Sequence, residues 1–256
     1  MGEREFEDSE LRVLIDGVLS SRYITAGFSQ ALIEKICNLS SIYFRSSVRH
    51  IHSVSSWNKT VNSQVFCNIE IIDEAIESGY QIEYDYNKYG LDKKMHKTSH
   101  QCVSPYQMIL HNQQYYLMAY SEYWKNMVFH RLDHITETKI TKKTAVPLRS
   151  IKGYEYGIDY KKISSALPYM YTDTPVMIEF LADAGIVDQV IDWFGTDCSL
   201  SKTEDPTKVR VRVLASQDAM EHWAMQYGLH VEILSPESFR DRVRRALKTA
   251  LEKYES

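Results

Sequence analysis

Residues 79–86, Gly79-Tyr80-Gln81-Ile82-Glu83-Tyr84-Asp85-Tyr86, mark the point where the hydrophobic rhythm of the chain changes. Upstream of Gly79 apolar residues recur every three or four positions; from Gln81 onward they fall on every second position, the period of a half-buried strand. The spacing predicts a strand over Gln81–Tyr86 and a turn at Asn87-Lys88-Tyr89-Gly90. A polar stretch, Lys93–Lys97, leads into a second strand through Cys102-Val103-Ser104 to Pro105. His111-Asn112-Gln113 reads as a hairpin turn into Gln114–Tyr120, and Met127–Leu132 as the next strand. Short strands joined by tight turns over about 60 residues suggest a small barrel.

Working back from Gly79, Cys67–Glu77 places Ile69, Ile72, Ala75 and Ile76 on one helical face, closed by Ser78-Gly79. A first helix carries Leu11, Leu14, Ile15, Val18 and Leu19 on one stripe, with Asp8 or Ser9 as its cap. Gly27 is expected to interrupt the pattern before Ser29 caps a second helix bearing Leu32, Ile33, Ile36 and Cys37, which Ser40-Ser41 ends. The signal is weak from Tyr43 to Val61.

Downstream, residues 146–173, with Pro147, Gly153, Gly157 and Pro168, read as a surface connection. Val176–Leu181, Cys198–Thr203, Lys208–Leu214 and Leu229–Leu234 then read as strands, interleaved with helices at Gly185–Trp193 and Gln217–Tyr227. Strand-helix-strand-strand-helix-strand is the order of a ferredoxin-like sandwich. A last helix follows, with Ser235 expected as cap and Pro236 in the first turn. The expected fold is therefore α+β: a helical linker and dimerisation region over 1–78, a small Sm/SH3-like β-barrel over 79–145, a connector over 146–173, and a ferredoxin-like α/β sandwich over 174–256.

Length and composition bound the function. The 256 residues suffice for about two compact units or three small ones, and 44% hydrophobic with 25% charged residues is ordinary for a soluble globular protein. No stretch reaches the roughly 20 apolar residues of a membrane helix. The acidic opening Met1–Glu7 lacks a signal peptide's basic and apolar regions, so a cytoplasmic protein without membrane partners is expected. Cys37, Cys67, Cys102 and Cys198 are scattered without a Cys-x-x-Cys pair, which speaks against a zinc site or a disulfide framework. A net charge of -4 does not describe a surface that grips nucleic acid throughout.

No phosphate loop, dinucleotide fingerprint, nucleophile elbow or His-Glu-x-x-His occurs, so no catalytic residue and no cofactor is expected. His130 and His134 are four apart, as are His96 and His100, but His130 lies in a strand, where that spacing does not bring ligands together, and no metal is expected. The last helix carries Arg240, Arg242, Arg244 and Arg245 among Glu237, Asp241 and Glu252. A solvated face with intrahelical ion pairs is the first reading of such a helix; Arg240, Arg244 and Arg245 remain candidate nucleic-acid contacts.

The segment Tyr80–Ile140 resembles the WYL domain, a small Sm-like barrel of bacterial regulators. Ile82–Tyr86 is similar to the family's opening strand with its aromatic pair, and Val103-Ser104-Pro105-Tyr106 to its mid-domain proline. The name-giving Trp-Tyr-Leu resembles Tyr115-Tyr116-Leu117, with Tyr in place of Trp. The closing Phe-Arg-x-Asp-Arg-Ile resembles His130-Arg131-Leu132-Asp133-His134-Ile135, where His130 stands at an aromatic position and His134 in place of the second arginine. Residues 3–35 look like the helical linker these regulators place after a winged helix-turn-helix, and residues 173–256 like the family's C-terminal extension.

The resemblance implies the effector-sensing part of a bacterial transcriptional regulator, without its DNA-binding head, that acts on promoter DNA only through that head. A homodimer through the linker helices is expected, with an effector ligand; nucleotides and single-stranded nucleic acid are among those the family implies. Arg131 is the first ligand-contacting residue, because a guanidinium suits phosphate or carboxylate. Tyr116 can stack or donate, His134 can substitute for the arginine as a cation or a neutral donor, and His130 and Ser104 complete the expected set. A structural pair between Arg131 and Asp133 on one strand face is the competing reading. Two other functions stay open: a protein-binding adaptor with no ligand, and a small-molecule hydrolase.

Overall fold

The computed structural model describes residues 6–40, 44, 59–160, 175–196 and 198–255. The weak-signal stretch from Tyr43 and much of the connector therefore fall largely outside the described residues. The chain divides into two compact units, Met1–Ser150 and Ile151–Ser256.

In the first unit, helix α1 spans Asp8–Ser20 and α2 spans Ala26–Cys37. Both start earlier than the sequence reading placed them. Glu7 caps α1, its N–H donating to Glu10 at 2.8 Å, so Asp8 is already helical. Thr25 caps α2 by accepting from the Phe28 N–H at 3.2 Å, and Gly27 lies inside the first turn. A good cap one turn upstream outweighs the roughly 1 kcal/mol that a helical glycine costs. Ser29, expected as the cap, is buried and donates to Thr25 O. Leu11, Ile15, Ile36, Cys37 and Phe44 form a small core between the helices, while Leu14 faces out.

Helix α3, Val65–Ser78, ends where the sequence placed its stop, at Gly79 in the left-handed region (φ 72°). Its Val65, Ile72 and Ala75 pack on Ile82, Tyr84, Val103, Leu117, Ala119, Leu132 and Ile135, so α3 plugs the β-structure that follows.

That structure comprises β1 (Tyr80–Tyr89), β2 (Met95–His111), β3 (Gln114–Ser121), β4 (Asn126–Arg131) and β5 (Ile135–Thr144), antiparallel in the order β4-β3-β2-β1-β5. β1 runs three residues past its expected end at Tyr86, into the expected turn. β2 does not stop at Pro105: its first half pairs with β1 up to Val103, and its second half pairs with β3 from Ser104. Pro105 sits at a register shift just after this change of partner, where a missing N–H is tolerated. Asn112 and Gln113 both have positive φ, which closes β2 onto β3 as a two-residue hairpin. β4 and β5, the ends of the strand order, are joined by one 3-10 turn, Leu132–His134.

In the second unit, β6 (Val176–Asp183), α4 (Val187–Phe194), β7 (Ser199–Lys202), β8 (Lys208–Ala215), α5 (Gln217–Gln226) and β9 (Val231–Ser235) build an antiparallel sheet in the order β7-β8-β6-β9. Split βαβ connectivity with the last strand beside the first is the ferredoxin-like arrangement expected from the sequence. Ile178, Phe180, Val211, Val213 and Ile233 face Val190, Phe194, Trp223, Phe239 and Val243 of the helices. Helix α6, Glu237–Glu252, starts at a Pro236 cap; Ser235, expected in that role, instead pairs with Glu179 as the last residue of β9.

Candidate functional site

The 3-10 turn between β4 and β5 gathers most of the expected site residues. Alternation along β1 puts Tyr84 and Tyr86 on one face, Tyr84 fully buried and Tyr86 nearer the surface. The Tyr84 hydroxyl lies 2.6 Å from His130 Nδ1 on β4. Burial lifts the Tyr84 phenol well above its ordinary range and pushes the His130 imidazole down to about 4, with Lys88 adding to the latter. Both groups are thus neutral, joined by one hydrogen bond between hydroxyl and imidazole. The His130 ring stacks on Tyr86, centroids 4.5 Å apart and planes 29° apart. His134 continues the aromatic row, 5.8 Å from Tyr86 and 5.9 Å from Tyr89.

Arg131 pairs with Tyr116 across the β3–β4 ladder and makes a two-pronged contact with Asp133, Nε to Oδ1 at 3.0 Å and Nη2 to Oδ2 at 2.6 Å. The Arg131 side chain is 34% exposed and that of Asp133 4%. Desolvation opposes the guanidinium charge, but its hydrogen bonds to the Asp133 carboxylate and that group's negative charge outweigh it and hold the pKa above its usual value. The pair forms as the sequence allowed, though not along one strand face: Asp133 belongs to the 3-10 turn, which swings its carboxylate back to Arg131.

His134 donates Nδ1–H to Asn87 O at 3.0 Å, and Asn87 Nδ2 returns a bond to His134 O at 3.0 Å. His134 Nε2 is buried with no hydrogen-bond partner among the described residues, 3.9 Å from Asp133 Oδ2. Burial lowers its pKa; Asp133 and the Asn87 carbonyl pull upward, Arg131 and Lys88 downward. Of the two roles expected of His134, cation or neutral donor, burial beside an existing cation disfavours the first in the resting protein.

The outer side of the turn is gripped by the helical segment. Asn62 Nδ2 donates to the carbonyls of Asp133 (3.1 Å) and Ile135 (2.7 Å), and Asn68 Nδ2 also donates to Ile135 O at 2.7 Å. Thr138 donates to Asn68 Oδ1, and Gln64 accepts from the Glu137 N–H at 3.0 Å. Glu137 takes positive φ, which this clamp holds.

Ser104 does not fit the ligand role expected of it. It is fully buried where β2 changes partner, and its Oγ accepts from the Val146 N–H at 3.0 Å. On α6, Arg240 meets Glu232 at 3.0 Å, Arg244 meets Asp241 at 2.9 Å, and Arg245 Nε reaches the Asp241 carbonyl at 3.4 Å. Arg242 is held by Asp218 and Glu221. Of these pairs Arg244–Asp241 lies within the helix as the first reading had it, whereas Arg240 and Arg242 reach partners on other elements; Arg244 is 77% exposed. Tyr86, Tyr89, Asn87 and Asn62 were not among the expected site residues. The alternation that placed Tyr84 could have flagged Tyr86, whereas the two asparagines act across more than 45 residues of chain and leave no local signal.

Among the described residues no group of His, Cys, Asp and Glu is arranged to hold a metal ion, and no helix is long and apolar enough to cross a membrane.

The five-stranded sheet plugged by a helix and the ferredoxin-like unit after it are the parts of the chain that match known domains. The chain carries a WYL domain, matched over residues 68–140, and a WCX domain, matched over residues 172–251. WYL domains are regulatory modules and not known enzymes. Among solved structures, the chain is similar to proteasome accessory factor B/C (PafBC) of Arthrobacter aurescens (17% identity, TM-score 0.35), with 98% of this chain and 37% of that chain covered. It is also similar to a CRISPR Cas-related protein (14% identity, TM-score 0.46), with 99% and 75% covered. The chain thus spans little more than a third of the PafBC chain. No curated protein matches it in sequence.

Proposed function

We propose that the chain is the effector-sensing and dimerisation part of a bacterial transcriptional regulator, whose WYL barrel binds an anionic ligand at Arg131 and passes occupancy to the helical segment. The carrying observation is Arg131: a one-third exposed guanidinium, steered by a buried carboxylate, whose charge acts on the phenols of Tyr86 and Tyr116. A planar cation beside aromatic faces suits a phosphate or carboxylate on a ligand that also stacks, which favours a nucleotide or single-stranded nucleic acid. Tyr116, the ladder partner of Arg131, supplies a further hydroxyl. Such a ligand alters regulation only if it distinguishes two arrangements of the chain, and the Asn62 and Asn68 bonds give the turn a mechanical link to α3 and the segment before it. A DNA-reading head controlled through these helices, a homodimer contact on their outer faces and a cytoplasmic setting belong to the same reading.

The test is a titration of the purified chain with short single-stranded DNA, RNA and nucleotides. The tightest ligand should bind Arg131→Ala about ten- to a hundredfold more weakly, the loss of one charge-assisted contact of roughly 1.5–3 kcal/mol. Unchanged affinity in Arg131→Ala would refute the site.

A further inference from the structure

The buried carboxylate of Asp133 lies between two basic side chains. Arg131 holds both its oxygens, at 3.0 and 2.6 Å; His134 Nε2 stands 3.9 Å from Oδ2 and bonds to nothing among the described residues. The orientation of His134 is not free. Its Nδ1–H is committed to the Asn87 carbonyl, so in the neutral ring Nε2 carries the lone pair, and that lone pair is buried near a carboxylate. Lone pair and anion gain nothing from each other. A proton on Nε2 would turn this mismatch into an ion pair without moving the ring far.

The charged and titratable groups around His134 are Asp133 in its own turn, Arg131 on β4, and Lys88, Tyr86 and Tyr89 on β1. Of these, Asp133 alone favours the imidazolium, and Arg131 and Lys88 oppose it. While Arg131 sits on Asp133, a second cation has little to gain and much desolvation to suffer. If an anion draws the guanidinium outward, Asp133, 4% exposed, is left uncompensated, and a buried carboxylate without a partner is strongly unfavourable.

We infer that Arg131 and His134 are alternative partners of Asp133, so that an anionic group captured by Arg131 is bound together with one proton, taken up at His134 Nε2. This rests on the proposed anion site and adds its linkage: the phosphate or carboxylate group enters, Arg131 turns to it, and His134 gains a proton from solvent and closes on Asp133. His134 is thereby a positioning residue, acting through Asp133 and Arg131.

Two measurements test this. In the first, with no ligand present, histidine NMR follows His134 through a pH titration of the full chain. In the native protein it should stay neutral below the ordinary imidazole value of about 6.5; in Arg131→Gln its titration should move up to or beyond that value. Arg131→Gln/Asp133→Asn should return it to the neutral state, and Arg131→Lys, with one donor in place of a fork, should fall between and serves if the glutamine variant folds poorly. A His134 that titrates alike in native protein and both Arg131 variants overturns the inference. In the second, inorganic sulfate is the probe, because it takes up no proton between about pH 8 and 5.5. Its affinity should rise as pH falls, by up to about tenfold per pH unit, the limit for one linked proton, and the rise should vanish in His134→Gln. Sulfate binding that is flat with pH in the native protein overturns the linkage. No sulfate binding at any pH overturns the anion site itself and the linked uptake with it, and the NMR series separately decides whether Asp133 is shared.

Discussion

Tyr84 and His130 form a closed donor–acceptor pair at the heart of the barrel, the phenol hydroxyl 2.6 Å from Nδ1 with the rings nearly perpendicular at 89°. Removing one half of such a pair strands the other. Tyr84→Phe should therefore lower unfolding free energy in urea by about 1–3 kcal/mol, the cost of an unpaired buried group. Tyr84→Phe/His130→Phe should recover most of that loss, since neither polar group then remains. A double variant as unstable as the single one would show that the hydroxyl matters through packing.

Because His130 is held near pKa 4 in the folded chain and returns to about 6.5 when unfolded, it makes stability depend on acidity. Above about 6.5 both states are neutral and the histidine contributes no slope. Between about 6.5 and 4 the unfolded chain binds a proton that the folded chain does not, so stability falls with pH by up to roughly 1.4 kcal/mol per unit. Urea midpoints measured across this range should drop with acidity in the native protein and drop less steeply in His130→Phe.

Arg131→Ala removes a partly exposed cation but leaves a buried anion. The larger consequence should lie with Asp133: a destabilisation of about 1–3 kcal/mol at neutral pH. Arg131→Ala/Asp133→Asn should be more stable than Arg131→Ala alone. Thermal melts of the native protein and both variants decide it, and a double variant no more stable than Arg131→Ala would contradict this account.

Asn62→Ala deprives the carbonyls of Asp133 and Ile135 of a shared donor. Ile135 keeps its bond from Asn68; Asp133 does not have one from that residue. Amide exchange should accelerate over roughly residues 131–137 and at the start of α3, with protection in the second unit unchanged. A uniform loss of protection across both units would instead mean global destabilisation.

What could be read from the sequence was local. The alternation Ile82, Tyr84, Tyr86 and the stop at Gly79 gave β1 and the end of α3, because side-chain period and a left-handed cap are properties of neighbouring residues. The motif placed the expected site residues His130, Arg131 and His134 within five positions, with Asp133, the partner of the competing reading, among them. Other features depended on distant chain. Pro105 looked like a strand end until β3 supplied a second partner for β2. His134 could be read as a cation or as a neutral donor, and only the surroundings, burial with Arg131 and Lys88, weigh against its charge. Asn62 and Asn68 carry no local signal and Asn87 read only as a turn residue, yet all three brace the site in three dimensions.

The strand that changes partners has a consequence for how this chain can be rewired. β2 gives its first half to β1 and its second to β3, so the two parts of the sheet share one uninterrupted backbone through Val103 and Ser104. Joining the natural ends of the first unit with a linker and opening the chain at fully exposed Leu91, between β1 and β2, would leave that backbone whole. Opening it at Pro105 would leave each half of the sheet with a short strand and a free edge. The first permutant should fold and the second should not, which makes β2 the barrel's one indivisible segment.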